Sequence, residues 1–391
     1  MAPKKPAPKG TDPVKDAATA RVVLLDDGSF LGRVAPEKSI KFVLVGCHLE
    51  LANALRRVIL AEVVTVAPKY DQYNQEDPTK NDVIVTVNTT ALHDQIMGHR
   101  ISMLPIHMSA VQIADHERSH LKFVIDSTNS QDLPMDVTTK DVKIYDADGS
   151  PLPAARRATF LPPDPFTGDY PIVARLKPSE VLKAEFYARR GVARENARWA
   201  AASTCAFAFV VDEDIAEADL SARLAKAASD ADAKDVREHH ASIDRQRCFE
   251  VDDLGDPLKV SLHVESECGL SAADVVLSAF DVLLGKIDAL RTKLRVEGAH
   301  PDDPAFFNLS LSDEDHTMGN MYQALCFRFY PDELDYVGYM MPHPLQRNIV
   351  FKIKLGAAAS SIEDFLEKSI ADIRAHVSKV KQLFSEAVGM S

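Results

Sequence analysis

Asp313, Glu314, Asp315 and His316 are four consecutive side chains able to hold a metal ion or move a proton. Their spacing is loose for a metal centre, and Thr317, Met318, Gly319 and Asn320 follow as a turn into a helix. At such a turn acidic groups and a threonine hydroxyl cap backbone amides and face the positive end of the helix dipole, so capping is the expected role of Asp313, Asp315 and Thr317. His99 and Arg100 stand before the apolar Ile101, Met103, Leu104 and Ile106, with no paired nucleophile that would make His99 a catalytic base. His116 and His120 are too few for tetrahedral zinc, which takes three or four sulfur or imidazole ligands. The five cysteines, Cys47, Cys205, Cys248, Cys268 and Cys326, are dispersed, and an odd number cannot all pair within one chain. No phosphate loop or pair of catalytic carboxylates emerges, so the residue chemistry predicts neither an enzyme active site nor a cofactor in this chain.

The elements that carry these residues fall into a repeated order. Arg21 to Leu25, ended by Asp26, Asp27 and Gly28, and Lys41 to Val45 are strand candidates. Leu51, Ala52, Leu55, Val58 and Ile59 then mark one face of a helix, with Arg56 and Arg57 off that stripe. From about residue 70 the texture becomes β-rich, with Val83 to Val87, Leu121 to Ile125, Val142 to Tyr145 and Thr204 to Val211 as strands and Pro162, Pro163 and Pro165 in a loop. A charged segment at 212–246 predicts a solvated helix or a mobile excursion. Lys259 to Val264 returns as a strand, and Val276, Phe280, Leu283, Leu284, Ile287 and Leu290 stripe a second long helix. Strand, helix and strand then recur: Phe306 to Leu311, Met318 to Phe329 and Asn348 to Lys354. A last helix follows, its stripe running from Ile362 to Val388. That stripe exceeds what a small domain needs for itself, so a partner helix is expected, with 271–290 as the candidate. Pro342, His343 and Pro344 predict a rigid corner between helix and strand.

At 391 residues there is room for two or three cores, and 46% hydrophobic with 26% charged residues is ordinary for a folded chain. A formal net charge of -13 argues against coating nucleic acid, leaving DNA contact indirect or minor. The scattered cysteines suit a reducing compartment, and no apolar stretch has the length of a membrane helix. The opening MAPKKPAPKG predicts a flexible basic tail rather than a secretory signal.

Local words then become specific. HLELANALRRVILAEVVTVA (His48 to Ala67) and LHDQIMGHRISMLPIH (Leu92 to His107) resemble two successive landmarks of the alpha and alpha-like subunits of cellular RNA polymerases. Ile172 to Pro178 and YARRGVARENARW (Tyr187 to Trp199) continue the resemblance, departing from the commoner pattern at Asn196 and Arg198. LSDEDHTMGNMYQALCFRFYPDELDYVGYMMPHPLQRNIVFKI (Leu311 to Ile353) is similar to the smaller alpha-like subunit, through Asp313, Asp315, His316, Thr317, Gly319, Asn320, Gly338, Tyr339, Pro342, His343 and Pro344.

The resemblance implies an α+β chain with two alpha-like dimerisation modules fused in tandem, the first interrupted by a β-rich inserted domain. The boundaries are a tail at 1–15, a first module at 16–70 and 248–295, an insert at 71–247 and a second module at 301–391. It implies a non-catalytic assembly platform of a DNA-directed RNA polymerase that docks the two largest subunits and joins the small assembly subunits. Asn53, Arg56 and Arg57 would be subunit contacts, His99 and Arg100 would either fix the junction through local hydrogen bonds or contact another subunit, and the magnesium would belong to the catalytic subunits. Arginine suits such a surface because its planar fork engages carboxylates or carbonyls with defined geometry. Fusion of the two parts resembles the polymerases of some large DNA viruses; a viral chain would stand in the host cytoplasm or nucleus and in the virion, and a non-viral one inside the cell at the site of transcription. The alternative is an independent transcription adaptor that uses the same fold to bind proteins or DNA. The cysteine cluster that many such inserts carry for zinc or an iron–sulfur centre is missing from Ser109 to Gln131 and around it, so no metal is expected in this chain.

Overall fold

The computed structural model describes residues 20–25, 35–71, 73, 81–115, 117–165, 167–300, 303–359 and 361–390. The basic tail, the Asp26-Asp27-Gly28 turn and His116 lie outside the described residues.

Two antiparallel four-stranded sheets, each with two helices, share a single core. The first has the order β1 (Arg21–Leu24), β2 (Ser39–Val45), β11 (Lys259–Ser266), β10 (Ala202–Phe209). Strand periodicity turns Phe42, Leu44, Val260, Leu262 and Val264 to one face, where all are fully buried beneath α1 (Leu49–Ala61) and α6 (Ala272–Lys293). The second sheet has the order β12 (Leu294–His300), β13 (Asp303–Ser312), β15 (Asn348–Leu355), β14 (Leu334–Met340), and carries α7 (His316–Phe329) and α8 (Ile362–Ala387).

The second unit repeats the first residue by residue. One constant offset maps the buried face of α1, Leu51, Ala52, Ala54, Leu55, Val58 and Ile59, onto Met318, Gly319, Met321, Tyr322, Leu325 and Cys326 of α7. The same offset maps Gly46 onto Asp313, and both have a left-handed backbone, at φ 66° and 60°. The long helices correspond as well, since Ser271 and Ser361 each accept a hydrogen bond from the amide of an aspartate three residues on, Asp274 and Asp364, at 3.1 Å. Across the pseudo-two-fold, α6 packs on α8, and Phe384 of α8 sits edge-on to Phe42 of the first sheet at 4.9 Å.

Between α1 and β10 the chain makes the insert. Its sheet is built around β9 (Val181–Val192), which pairs on one side with β5 (Arg118–Thr128) and on the other with β3 (Val64–Ala67) and β4 (Val83–Asn88), while β7 (Lys143–Tyr145) extends β5. A small ribbon of β6 (Met135–Thr138) and β8 (Ile172–Leu176), with α2 (Asp94–Ser102) and α3 (Ala154–Phe160), completes it. Its core, in which Phe123 and Phe186 stack at 5.0 Å, is separate from the shared one. A second excursion between β10 and β11 holds α4 (Glu213–Leu224) and α5 (Asp230–His239), so the charged segment is helical.

Three elements differ from the sequence expectation. The strand expected at Thr204 to Val211 within the insert is β10, the edge of the first sheet, paired with β11 through Phe207↔Leu262. β3, expected in the first module, pairs with β9 of the insert. Pro342, His343 and Pro344 join two strands, β14 and β15, rather than a helix and a strand, because 334–340 is a strand that the apolar pattern did not reveal. By the internal repeat, this short exposed loop stands where the first unit carries its α4–α5 excursion.

Candidate subunit-docking site

The outward face of α1 carries Asn53, Arg56 and Arg57, and the structure gives the two arginines different work. Arg56 donates to Asn53 Oδ1 through Nε and a terminal nitrogen, at 3.1 and 2.9 Å, and its guanidinium lies 6.0 Å from the Phe207 ring centroid on β10. This pair is half-buried and remains on the surface of its own unit. Arg57 crosses to the second unit, where Nε donates to Thr317 Oγ1 at 2.8 Å and the guanidinium stands 3.8 Å from Asp315. It is therefore an inter-module tie with a side chain still 40% exposed.

Beneath Arg57 lies an ion network that joins both units and the insert. Lys286 of α6 sits between Glu62, at 2.7 Å, and Glu314, at 2.8 Å. Arg194, at the end of β9, reaches Glu62 at 2.5 Å and Asp315 at 3.1 Å, while its own amide donates to Ala61 O. Side-chain exposures of 11% for Lys286 and Glu62 and 6% for Glu314 make these charges dependent on each other. Burial pushes the Glu314 carboxyl above its ordinary value although Lys286 pulls the other way. Burial also raises Asp315, but hydrogen bonds from Thr317 and the charges of Arg194 and Lys286 outweigh it and hold that carboxyl low.

The second-unit motif resolves into one constellation. Asp315 caps α7 by accepting from the Thr317 amide at 2.8 Å, His316 Nδ1 lies 3.1 Å from the Tyr339 hydroxyl, and Gly319 lies under the Tyr339 ring, where a Cβ would come within 2.5 Å. Asn320 is the repeat counterpart of Asn53 and is half-buried. Gln323, the counterpart of Arg56, accepts from the Tyr339 amide at 3.0 Å. Gly338 lies beside the Tyr336 hydroxyl, and Pro342, His343 and Pro344 are exposed away from this group. Asp313 is exposed in its left-handed turn. The four residues 313–316 do not converge on one point: Glu314 pairs with Lys286, Asp315 with Arg194, Arg57 and the Thr317 amide, and His316 with Tyr339.

His99 and Arg100 belong to the insert. Arg100 donates to Val173 O at 3.0 Å and Ile172 O at 3.2 Å, tying α2 to β8, and His99 is exposed. The word Tyr187 to Trp199 is explained by packing, because Gly191 leaves room for the Trp199 ring, which would lie 2.3 Å from a Cβ there. The two departures are used: Asn196 accepts from the Arg198 amide at 3.1 Å, and Arg198 donates to Pro68 O and Tyr70 O, both at 3.1 Å. Gly191→Val should therefore displace the ring at a cost of about 1–3 kcal/mol. Trp199 is the sole tryptophan, so a red-shifted emission and a lowered midpoint in one denaturation series check this directly.

Sequence reasoning missed Glu62, Lys286 and Arg194 as a set. A signal existed in Lys286, a cation that helical spacing puts on the same face as the apolar Val275, Ala279 and Leu290, where a charge needs a partner. Among the described residues, one group of three possible metal ligands converges, Asp219, His240 and Cys248, and it lies in the α4–α5 excursion. No described helix is long and apolar enough to cross a membrane.

Comparison with known proteins gives two family matches of one description, the RNA polymerase Rpb3/Rpb11 dimerisation domain, over residues 41–287 and again over 307–383. Among curated relatives, the chain is 26% identical over 192 residues to DNA-directed RNA polymerases II, IV and V subunit 3 of Arabidopsis thaliana, covering 45% of this chain and 56% of that one. It is 28% identical over 185 residues to DNA-directed RNA polymerase subunit Rpo3 of Pyrobaculum aerophilum, covering 47% and 60%. To DNA-directed RNA polymerases I and III subunit RPAC1 of Homo sapiens it is 23% identical over 198 residues, covering 46% and 54%. The chain spans little more than half the length of these relatives.

Proposed function

Because the chain belongs to the RNA polymerase Rpb3/Rpb11 dimerisation-domain family, we propose that it is the non-catalytic assembly platform of a multisubunit DNA-directed RNA polymerase, with both halves of the usual pair on one polypeptide. The observation that carries this is the single core shared by two units that repeat each other down to the left-handed turn before each short helix. Covalent linkage makes pairing intramolecular, replacing a concentration-dependent encounter by a high effective concentration.

In this reading the first module comprises β1, β2, α1, β10, β11 and α6, the second begins at β12, and the insert and the α4–α5 excursion project from the first. The two largest polymerase subunits dock on the platform, one of them against Asn53 and Arg56, and magnesium belongs to those subunits. Small assembly subunits join the same complex, and DNA contact is minor at a net charge of -13. His99 and the exposed Pro342-His343-Pro344 loop are further contacts. A viral source, with sites in host cytoplasm, nucleus or virion, rests on the fusion alone, since the relatives named above come from a plant, an archaeon and a human.

Native mass spectrometry of the endogenous assembly tests the reading: co-purification with two far larger polymerase subunits is expected, and their absence overturns it. Arg56→Glu should cut recruitment of a large subunit at least tenfold in pull-down with the thermal midpoint unchanged, because Arg56 bonds Asn53 on the surface of its own unit and, among the described residues, reaches no residue of the second. Arg57→Glu should lower the midpoint as well, since it places a carboxylate against Asp315. Equal recruitment by Arg56→Glu would move the docking surface elsewhere.

A further inference from the structure

The α4–α5 excursion lacks the apolar core that would hold it. Ala216 is the only buried residue of α4, and α5 has none. Segments of this size that cannot bury enough apolar surface commonly rely on a staple such as a structural metal. At the point where α4, the end of α5 and the returning chain meet, Asp219, His240 and Cys248 bring a carboxylate, an imidazole and a thiol within 4.8 Å of one another. His240 is 4% exposed, and its Nε2 lies 3.4 Å from Asp219 Oδ2 with no hydrogen-bond partner among the described residues. Cys248 is 7% exposed and makes a 3.5 Å contact to Asp244 O. His240–Asp244 is a π-helical turn, a local widening that often accompanies functional sites.

We propose that Asp219, His240 and Cys248 form a site for a borderline-soft divalent transition metal of the zinc class, with water as fourth ligand. The mixed sulfur, nitrogen and oxygen set matches that ion. Bonds of about 2.0–2.3 Å place tetrahedral donors about 3.6 Å apart, so His240 Nε2 and Asp219 Oδ2, at 3.4 Å, already stand at that spacing, and with all three donors within 4.8 Å no pair has to close by much more than about 1 Å. Arg223 donates at 2.6 Å to Asp219 Oδ2, the oxygen that faces His240, and at 2.8 Å to Asp244, and it stays as the outer partner that orients the ligating carboxylate. On binding, the Cys248 S–H bond breaks, the sulfur keeps the electron pair for the metal, and the proton leaves to solvent.

The test is cobalt(II) titration of the full chain after chelation. A near-ultraviolet thiolate-to-cobalt band should saturate at one equivalent and be displaced by zinc. It should persist in Cys268→Ser, a control at the other end of β11, and vanish in Cys248→Ser. Zinc should also slow amide exchange across 213–248 in the unmodified chain at least tenfold, a readout that needs no variant. A chain that gives no saturable band, or a band unchanged in Cys248→Ser, overturns the site.

Discussion

Val380→Asp is expected to destabilise the chain by about 4 kcal/mol or more, through loss of the pairing between its two units. Val380 is fully buried on α8, in line with Ile373, Val377 and Phe384, against α6 and the first sheet. Removing an isopropyl group from such a site forfeits about 2 kcal/mol of burial, and a carboxylate there finds no partner on an apolar stripe. The carboxyl must therefore be protonated or the helices must part. Ion pairs along the outside of the α6–α8 seam, Arg374 with Asp288 at 2.7 Å and Arg291 with Glu367 at 3.3 Å, are too exposed to compensate. Urea unfolding followed by circular dichroism measures the loss. Ala375→Asp, on the exposed side of the same helix, should stay within about 0.5 kcal/mol of the parent. Because the units are tethered where α6 passes into β12, separation should also appear as new proteolytic cuts near Lys293 and Leu294. An unchanged midpoint would rule out the shared core.

The long helices were legible because a 3.6-residue period over five or more turns has no competing explanation, and the excess stripe on α8 correctly demanded a partner. Pairing between strands was far less legible. β10 carries its own alternation, but alternation does not name a neighbour, so its place beside β11 could not be told from a place in the insert. β14 was missed because only Val337 of its seven residues is buried, leaving no pattern to read, and that omission misplaced the Pro342-His343-Pro344 loop. At the candidate site, Arg56 and Arg57 were rightly set off the apolar stripe. Their separation into a surface residue and an inter-module tie depends on Thr317 and Asp315, some 260 residues distant in sequence. The family words marked Gly191, Gly319 and Asp315, and the geometry explains each through a ring or an amide close by. The ion network was not legible as a unit, because its members come from four separate segments.

That network makes the second large prediction, Lys286→Met, which should cost about 3–5 kcal/mol at neutral pH. The loss falls unequally on its two partners. Glu62 keeps Arg194 at 2.5 Å, whereas Glu314, with a 6% exposed side chain, has no other cation in contact among the described residues, Lys293 acting on it only from farther away. Glu314 already binds its proton more tightly in the folded chain than an ordinary glutamate at about 4.3, because burial outweighs Lys286. For such a group the folded state holds more protons than the unfolded, so stability falls as pH rises from the ordinary value through the raised one. Taking Lys286 away raises the folded value further and widens that window. The penalty of Lys286→Met should therefore be small below about pH 4, where the carboxyl is protonated in both states, and grow to its full size above the raised value. Asp315 acts in the opposite sense: its depressed value contributes stability above about 3.9 that is lost as pH falls, and this part is common to parent and variant to the extent that Arg194 and Thr317 supply it. Subtracting the two stability curves isolates Glu314. The decisive comparison is Lys286→Met with Glu314→Gln, which removes the titrating group along with its partner. That double variant should recover about half of the neutral-pH loss and flatten the difference curve, whereas a pH-dependent penalty that survives it would take the titration away from Glu314.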